Sequence, residues 1–177
     1  MSFLIWNIIR GNKRYKQKKL NKFLKAHHIR LAGLIETRVK GNNMHRIANC
    51  IAPGWEILHN YSDASNGRIW LIWDQNYYDL QKLKTFAQLV HRLVQNRRKG
   101  HQFLITVIYG FNTMELRRTL WDELEHIAPG VNQPWLIAGE FNALLNPRDR
   151  QAGAPVTPAD TQEFADCVRN VGIYELP

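Results

Sequence analysis

PWLIAGEFNALLN, residues 134–146, opens as a buried strand and then places Glu140 and Asn142 inside an apolar run, with Phe141 between them. Side chains alternate across a strand, so Glu140 and Asn142 share one face and Phe141 takes the other. A carboxylate and a carboxamide at the C-terminal end of a strand sit where open α/β sheets commonly put a ligand. The plainer reading is a strand that ends in polar residues as it reaches solvent. The other strands decide between the two.

Apolar and β-branched runs bounded by turn residues predict strands at FLIWNII (3–9), RLAGLIET (30–37), GWEILHNY (54–61), GRIWLIWD (67–74), TFAQLVHRLV (85–94), HQFLITVIYGF (101–111) and PWLIAGEFN (134–142). Helical periodicity predicts helices over 13–28, 114–128 and 158–172. The last is punctuated by Thr157 as N-cap, Pro158 at the first helical position and Gly172 at the exit. This order of elements implies α/β or α+β, with sheets covered by helices. VQNRRKGHQ (94–102) reads as a basic hairpin loop, and Trp70 and Trp73 in GRIWLIWD read as sheet core rather than base-stacking platforms.

Polar residues interrupt other strands in the same manner. FLIWNII carries Asn7, LAGLIETRVK ends with Glu36, and VIYGFN ends with Tyr109 and Asn112. A buried polar group costs a few kcal/mol unless it is satisfied, so repeated occurrences at strand ends call for partners. If the ends converge, they make an oxygen-rich pocket suited to Mg2+, which takes one or two carboxylates and completes its shell with water and phosphate.

The chain has 177 residues and a hydrophobic fraction of 45%, enough for a single domain with a core. No run approaches the ~18 consecutive apolar residues of a membrane span. The N-terminal charge follows the apolar run, the reverse of a secretory signal. Two cysteines in no metal-like or redox-like spacing imply a reducing intracellular compartment, nuclear or cytoplasmic, with Cys50 and Cys167 as buried small hydrophobes. The net charge is +9, and it is uneven: positions 10–40 hold eleven basic residues and one acid, Glu36. Such a block suggests a polyanionic partner, nucleic acid first. It also fits a solvated helix face, because Leu20, Phe23, Leu24 and His27 form an apolar stripe with Lys18, Lys19, Lys22 and Lys25 mainly off it.

WNIIRGN, GLIETRVK, NY…GRIWLIWD, TVIYGFNTMELRRTLWDEL and LIAGEFNALLNPRDRQAG occur in the order seen in the endonuclease/exonuclease/phosphatase superfamily. The chain resembles that superfamily from Phe3 to Pro177, and most of all the apurinic-type endonuclease domain of plant LINE, or non-LTR, retrotransposons. The resemblance implies a four-layer sandwich of the DNase I-like type, two packed β-sheets flanked by helices. It implies a Mg2+-dependent DNA endonuclease, with Mn2+ as the alternative cation, fused in an intact element to a reverse transcriptase. By motif, Glu36 would be the main metal ligand and Asn7 would help bind the metal. Tyr109 and Asn112 would contact the scissile phosphate. Glu140 would orient or deprotonate the attacking water, and Asn142 would donate to the phosphate. Lys18, Lys19, Lys22, Arg97 and Arg98 would hold DNA through its backbone.

Two departures qualify this. The family places Asp where this chain has Glu140, and one extra methylene moves the carboxylate by roughly an ångström, a misplacement that can cost ~10²-fold in rate. The family pattern also continues to a Ser-Asp-His motif, which none of the seven histidines here occupies. The expectation is therefore one domain over 1–177 lacking its C-terminal part, with an incomplete second sheet and impaired catalysis. The alternatives are a non-catalytic nucleic-acid-binding remnant and a phosphatase of the same superfamily.

Overall fold

Among the described residues eight strands form two mixed four-stranded sheets, and both sheets belong to one of two compact units into which the chain divides. The computed structural model describes residues 2–64, 68–150 and 155–176. The larger unit holds the chain up to Tyr109 together with Gln133–Glu140. The smaller holds Gly110–Asn132 and the chain from Phe141 onward.

The first sheet contains β1 (Leu4–Asn7), β2 (Leu31–Ile35), β3 (Glu56–His59) and β4 (Ile69–Trp73) in the order β1-β2-β4-β3. β1 and β2 are parallel, and the other pairings are antiparallel. β2 and β4 are apolar at every position, as strands covered on both faces must be. On one face Ala32, Leu34, Trp70 and Ile72 pack with Leu20 and Leu24 of α1 (Arg14–Ala26) and with Ile47 and Ile51 of α2 (Met44–Ile51). On the other, Leu31, Ile35, Ile69, Leu71 and Trp73 pack with Val90, Val94, Ile105 and Val107 of the second sheet. Both tryptophans are core, as the sequence implies.

The second sheet runs β5 (Tyr78–Thr85), β6 (Leu89–Asn96), β7 (Gln102–Tyr109) and β8 (Trp135–Glu140), antiparallel except for the parallel β7–β8 pair. The layers of the larger unit are thus helices, sheet and sheet, an α/β sandwich of the expected kind. β6 and β7 form the expected basic hairpin, whose Asn96 Oδ1 accepts from the Arg98 and Lys99 amides at 3.0 and 2.9 Å.

The structure differs from the sequence reading at several places. TFAQLVHRLV is not one strand: β5 ends at Thr85, residues 86–88 turn, and the Phe86 amide donates to the Leu89 carbonyl at 2.9 Å. β5 itself was not expected, because a register shift between Lys82 and Lys84 breaks its alternation and leaves Leu83 exposed. As an edge strand it carries lysines, which discourage pairing with other chains. α2 was likewise not expected. Cys50 is exposed, so only Cys167 is the buried small hydrophobe expected of both. His27 is exposed beyond the end of α1, its ring tilted against Phe23 with centroids 4.2 Å apart, and does not extend the buried stripe. Gly67 of GRIWLIWD and the Gln-Ala-Gly at 151–153 lie outside the described residues.

In the smaller unit α3 (Met114–Ile127) packs on α4 (Pro158–Val171), with Trp121 stacked on Phe164 at 4.9 Å and Arg118 paired with Glu163 at 2.8 Å. α4 starts and stops where its punctuation places it. The Asp160 carboxylate accepts from the Thr157 amide and hydroxyl, both at 2.8 Å, and Gly172 ends the helix at φ +71°. Among the described residues no helix is long and apolar enough to cross a membrane.

Candidate active site

Register brings the polar strand ends of the larger unit together. Asn7 pairs with Ile35, so Glu36 follows directly beside it, with neighbouring strands ~4.8 Å apart. Ile35 pairs in turn with Ile69, which sets Arg68 across from Glu36. In the other sheet Tyr109 pairs with Glu140 at the ends of two parallel strands. Backbone bonds extend the first arrangement past the strands: the Ile8 amide donates to Ile35 at 3.1 Å and the Gly11 amide to Thr37 at 2.8 Å.

The two sheets meet at these ends. Asn7 Nδ2 donates to Glu140 Oε2 at 2.5 Å, and Asn7 Oδ1 accepts from the Ile9 amide at 3.2 Å. Glu36 is buried and carries the backbone at φ +53°, and its partner Arg38 stands at φ +48°. A left-handed conformation costs a side-chain-bearing residue roughly 1–2 kcal/mol, and such outliers gather at functional sites. Arg38 pairs its guanidinium with the Glu36 carboxylate. Arg68 lies over the Tyr109 ring, 5.3 Å from its centroid. Burial first, and then Glu36 and Glu140, push the Tyr109 phenol above its usual pKa, so at neutral pH it is an uncharged O–H donor.

Gly139 makes the end of β8 possible. Its φ is +148°, and a Cβ there would lie 2.0 Å from the Ile108 carbonyl oxygen. Only glycine lets β8 approach β7 this closely one residue before Glu140.

Of the residues expected from sequence, Asn7, Glu36, Tyr109 and Glu140 share one site. Asn112 and Asn142 belong to the smaller unit. There Arg117 donates to the Asn112 carbonyl at 2.8 Å, and Asn142, at φ +51°, donates Nδ2 to the Gly110 carbonyl at 2.7 Å. Lys18, Lys19 and Lys22 are exposed along α1. Arg97 and Arg98 precede β7, whose far end carries Tyr109. Seven residues of strand at ~3.3 Å each put them roughly 23 Å from the site. Arg38 and Arg68 are site residues that pattern reading missed. Arg38 is two positions beyond Glu36, but Arg68 is identified only through the β2–β4 register.

Glu36, Glu140 and the Asn7 carboxamide supply hard oxygen donors of the kind Mg2+ or Mn2+ prefers, with room in the shell for water and phosphate. Among the described residues no cluster of three or more His, Cys, Asp or Glu side chains could hold a metal. The donor set fits a cation shared between protein and substrate.

Known structures bear out the fold expected from the sequence. No protein-family model matches the sequence, and no curated protein does. Among solved structures, the chain is similar to the endonuclease domain of TRAS1, a telomere-specific non-LTR retrotransposon. The TM-score is 0.71 at 12% identity, over 96% of this chain and 71% of that one. It is also similar to the AP endonuclease of Leishmania major (TM-score 0.69, 12% identity, 96% and 65% covered). A third is the catalytic domain of human nocturnin (TM-score 0.58, 16% identity, 80% and 65% covered). The chain spans about two thirds of the length of these structures.

Proposed function

We propose that this chain is a DNA endonuclease that hydrolyses phosphodiesters with a divalent cation, as the nuclease portion of a LINE-type retroelement fused to a reverse transcriptase. The observation that carries this reading is the convergence of Asn7, Glu36, Tyr109 and Glu140 from the ends of four strands in two sheets. Glu36 and Asn7 would hold Mg2+ or Mn2+, and the bound cation would offset negative charge on the phosphate. The chain's own groups do the rest. Asn7 fixes one oxygen of Glu140, leaving the other to accept a proton from the attacking water. Tyr109 donates to a phosphate oxygen, and Arg68 adds positive charge beside it. Glu140, longer than the aspartate of the family, slows turnover by up to ~10²-fold.

The charge of +9 and the exposed lysines of α1 favour a polyanion over a small phosphoester. The test offers the chain supercoiled plasmid and p-nitrophenyl phosphate with Mg2+. Slow, chelator-sensitive nicking without release of nitrophenol supports the nuclease. Phosphatase activity without nicking overturns it.

A further inference from the structure

The end of the sandwich opposite the candidate site carries its own cationic array. β2 begins after Arg30 and finishes before Glu36, so the two side chains are separated by six residues of strand, roughly 20 Å. Arg30 lies 4.9 Å over the ring of Tyr77, and Arg98, from the β6–β7 hairpin, lies 3.9 Å over the same ring. One aromatic ring thus meets guanidinium groups from both sheets. The backbone ties the array together: the Asp74 amide donates to Arg30, the Tyr77 amide to Asp74, and the Arg97 amide to Tyr77, at 2.9, 3.0 and 2.9 Å.

Charge at this end is only partly compensated. Asp74 pairs with Arg30 and Asp79 with Arg97, each at 3.5 Å. Arg98 has the ring but no ion pair among the described residues, and Lys99 beside it is exposed. Arg30 also shares a recess of about 490 Å³ with Lys25, Asn21, Trp55, Asn76 and its partner Asp74, two cations to one carboxylate. Lys25 is the last lysine of α1, so Lys18, Lys22 and Lys25, at helical spacing, lead along the exposed helix face to Arg30. α1, with 13 residues, covers ~20 Å.

From this juxtaposition we infer that Lys25, Arg30 and Arg98, organised by Tyr77, form a second nucleic-acid backbone anchor, about 20 Å from the candidate site. It is joined to that site by the α1 lysines. It rests on the nucleic-acid part of the proposed function but not on cleavage. Arginine held against an aromatic ring loses less freedom on meeting a phosphate, and the stacked pair presents two donors at once.

The test measures binding of a 24-base-pair duplex by fluorescence anisotropy from ~50 to ~200 mM salt, the range over which phosphate contacts weaken strongly. The Lys25→Ala/Arg98→Ala double variant should lose up to about 2 from the salt slope, since each phosphate contact contributes ~0.9, and should bind several-fold more weakly at low salt. Tyr77→Leu leaves the charge unchanged and should still weaken binding a few-fold, with its thermal midpoint recorded to confirm folding. Wild-type affinity in both variants overturns the anchor while leaving the nucleic-acid reading intact. Loss in the double variant with none in Tyr77→Leu also overturns it, because net charge alone would then explain the binding. No binding by the unmodified chain removes the nucleic-acid reading and the anchor with it.

Discussion

Asn7 Nδ2 donates to Glu140 Oε2 at 2.5 Å, although the two residues end strands of different sheets and lie 133 positions apart. β1 and β8 are each the outer strand of their sheet, so this bond closes the sandwich at the site end. It also commits one carboxylate oxygen of Glu140 to Asn7. Glu140→Asp withdraws the carboxylate by roughly an ångström and breaks that bond. Nicking by this variant is expected to rise, by no more than ~10²-fold. Asn7→Asp sets two carboxylates together and is expected to abolish nicking while leaving the circular dichroism unchanged. Wild-type rates in Asn7→Asp would show that the bond has no part in the chemistry.

Gly139→Ala tests the backbone on which Glu140 depends. The added Cβ meets the Ile108 carbonyl oxygen, which cannot rotate away, and alanine is strained at φ +148°. A loss of about 3 kcal/mol is expected, read as a fall in the urea midpoint. An unchanged midpoint would mean that β8 ends differently in solution.

The pH dependence of stability should report His91. Burial first, and then Arg92, hold its pKa at about 4 instead of the usual 6.5, while its Nδ1 lies 2.8 Å from the Thr106 hydroxyl. A histidine with a depressed folded pKa binds fewer protons folded than unfolded. Its contribution is therefore complete above about 6.5 and declines as the pH falls toward about 4. The decline is at most about 1.4 kcal/mol per pH unit for one proton. Denaturation series at pH 7 and pH 5 should show the loss in the wild type and a smaller one in His91→Gln. Equal losses would assign the effect to other groups.

Reversing the α1 lysines tests the long-range charge. Lys18→Glu, Lys19→Glu and Lys22→Glu are all exposed, so the triple variant should fold normally and bind duplex DNA at least ten-fold more weakly at low salt. Unchanged affinity would mark this face as merely solvated.

The sandwich was legible because β2 and β4 are apolar on both faces, a pattern that demands layers above and below. Asn7, Glu36, Tyr109 and Glu140 were legible for the converse reason: polar residues ending apolar strands stand out. β5 was not, because its bulge at Lys82–Lys84 and its exposed lysines erase the alternation. α2 spans only eight residues, although Met44, Ile47, Ala48 and Ile51 do form a helical stripe. Arg68 needed the register of an antiparallel pair. The placement of Arg97 and Arg98 away from the site needed the direction of β7. Both are long-range facts that local pattern does not carry.

The central claim is that Glu36, joined by Asn7, Tyr109 and Glu140, forms a cation-dependent phosphodiesterase site. It is tested most directly by plasmid nicking at excess protein with Mg2+, comparing the unmodified chain with Glu36→Gln. Glutamine keeps the shape of the side chain and removes its charge. Slow nicking is expected that stops with chelator and falls by at least ~10²-fold in Glu36→Gln. Nicking at the same rate in both proteins, or none by the unmodified chain, would contradict it.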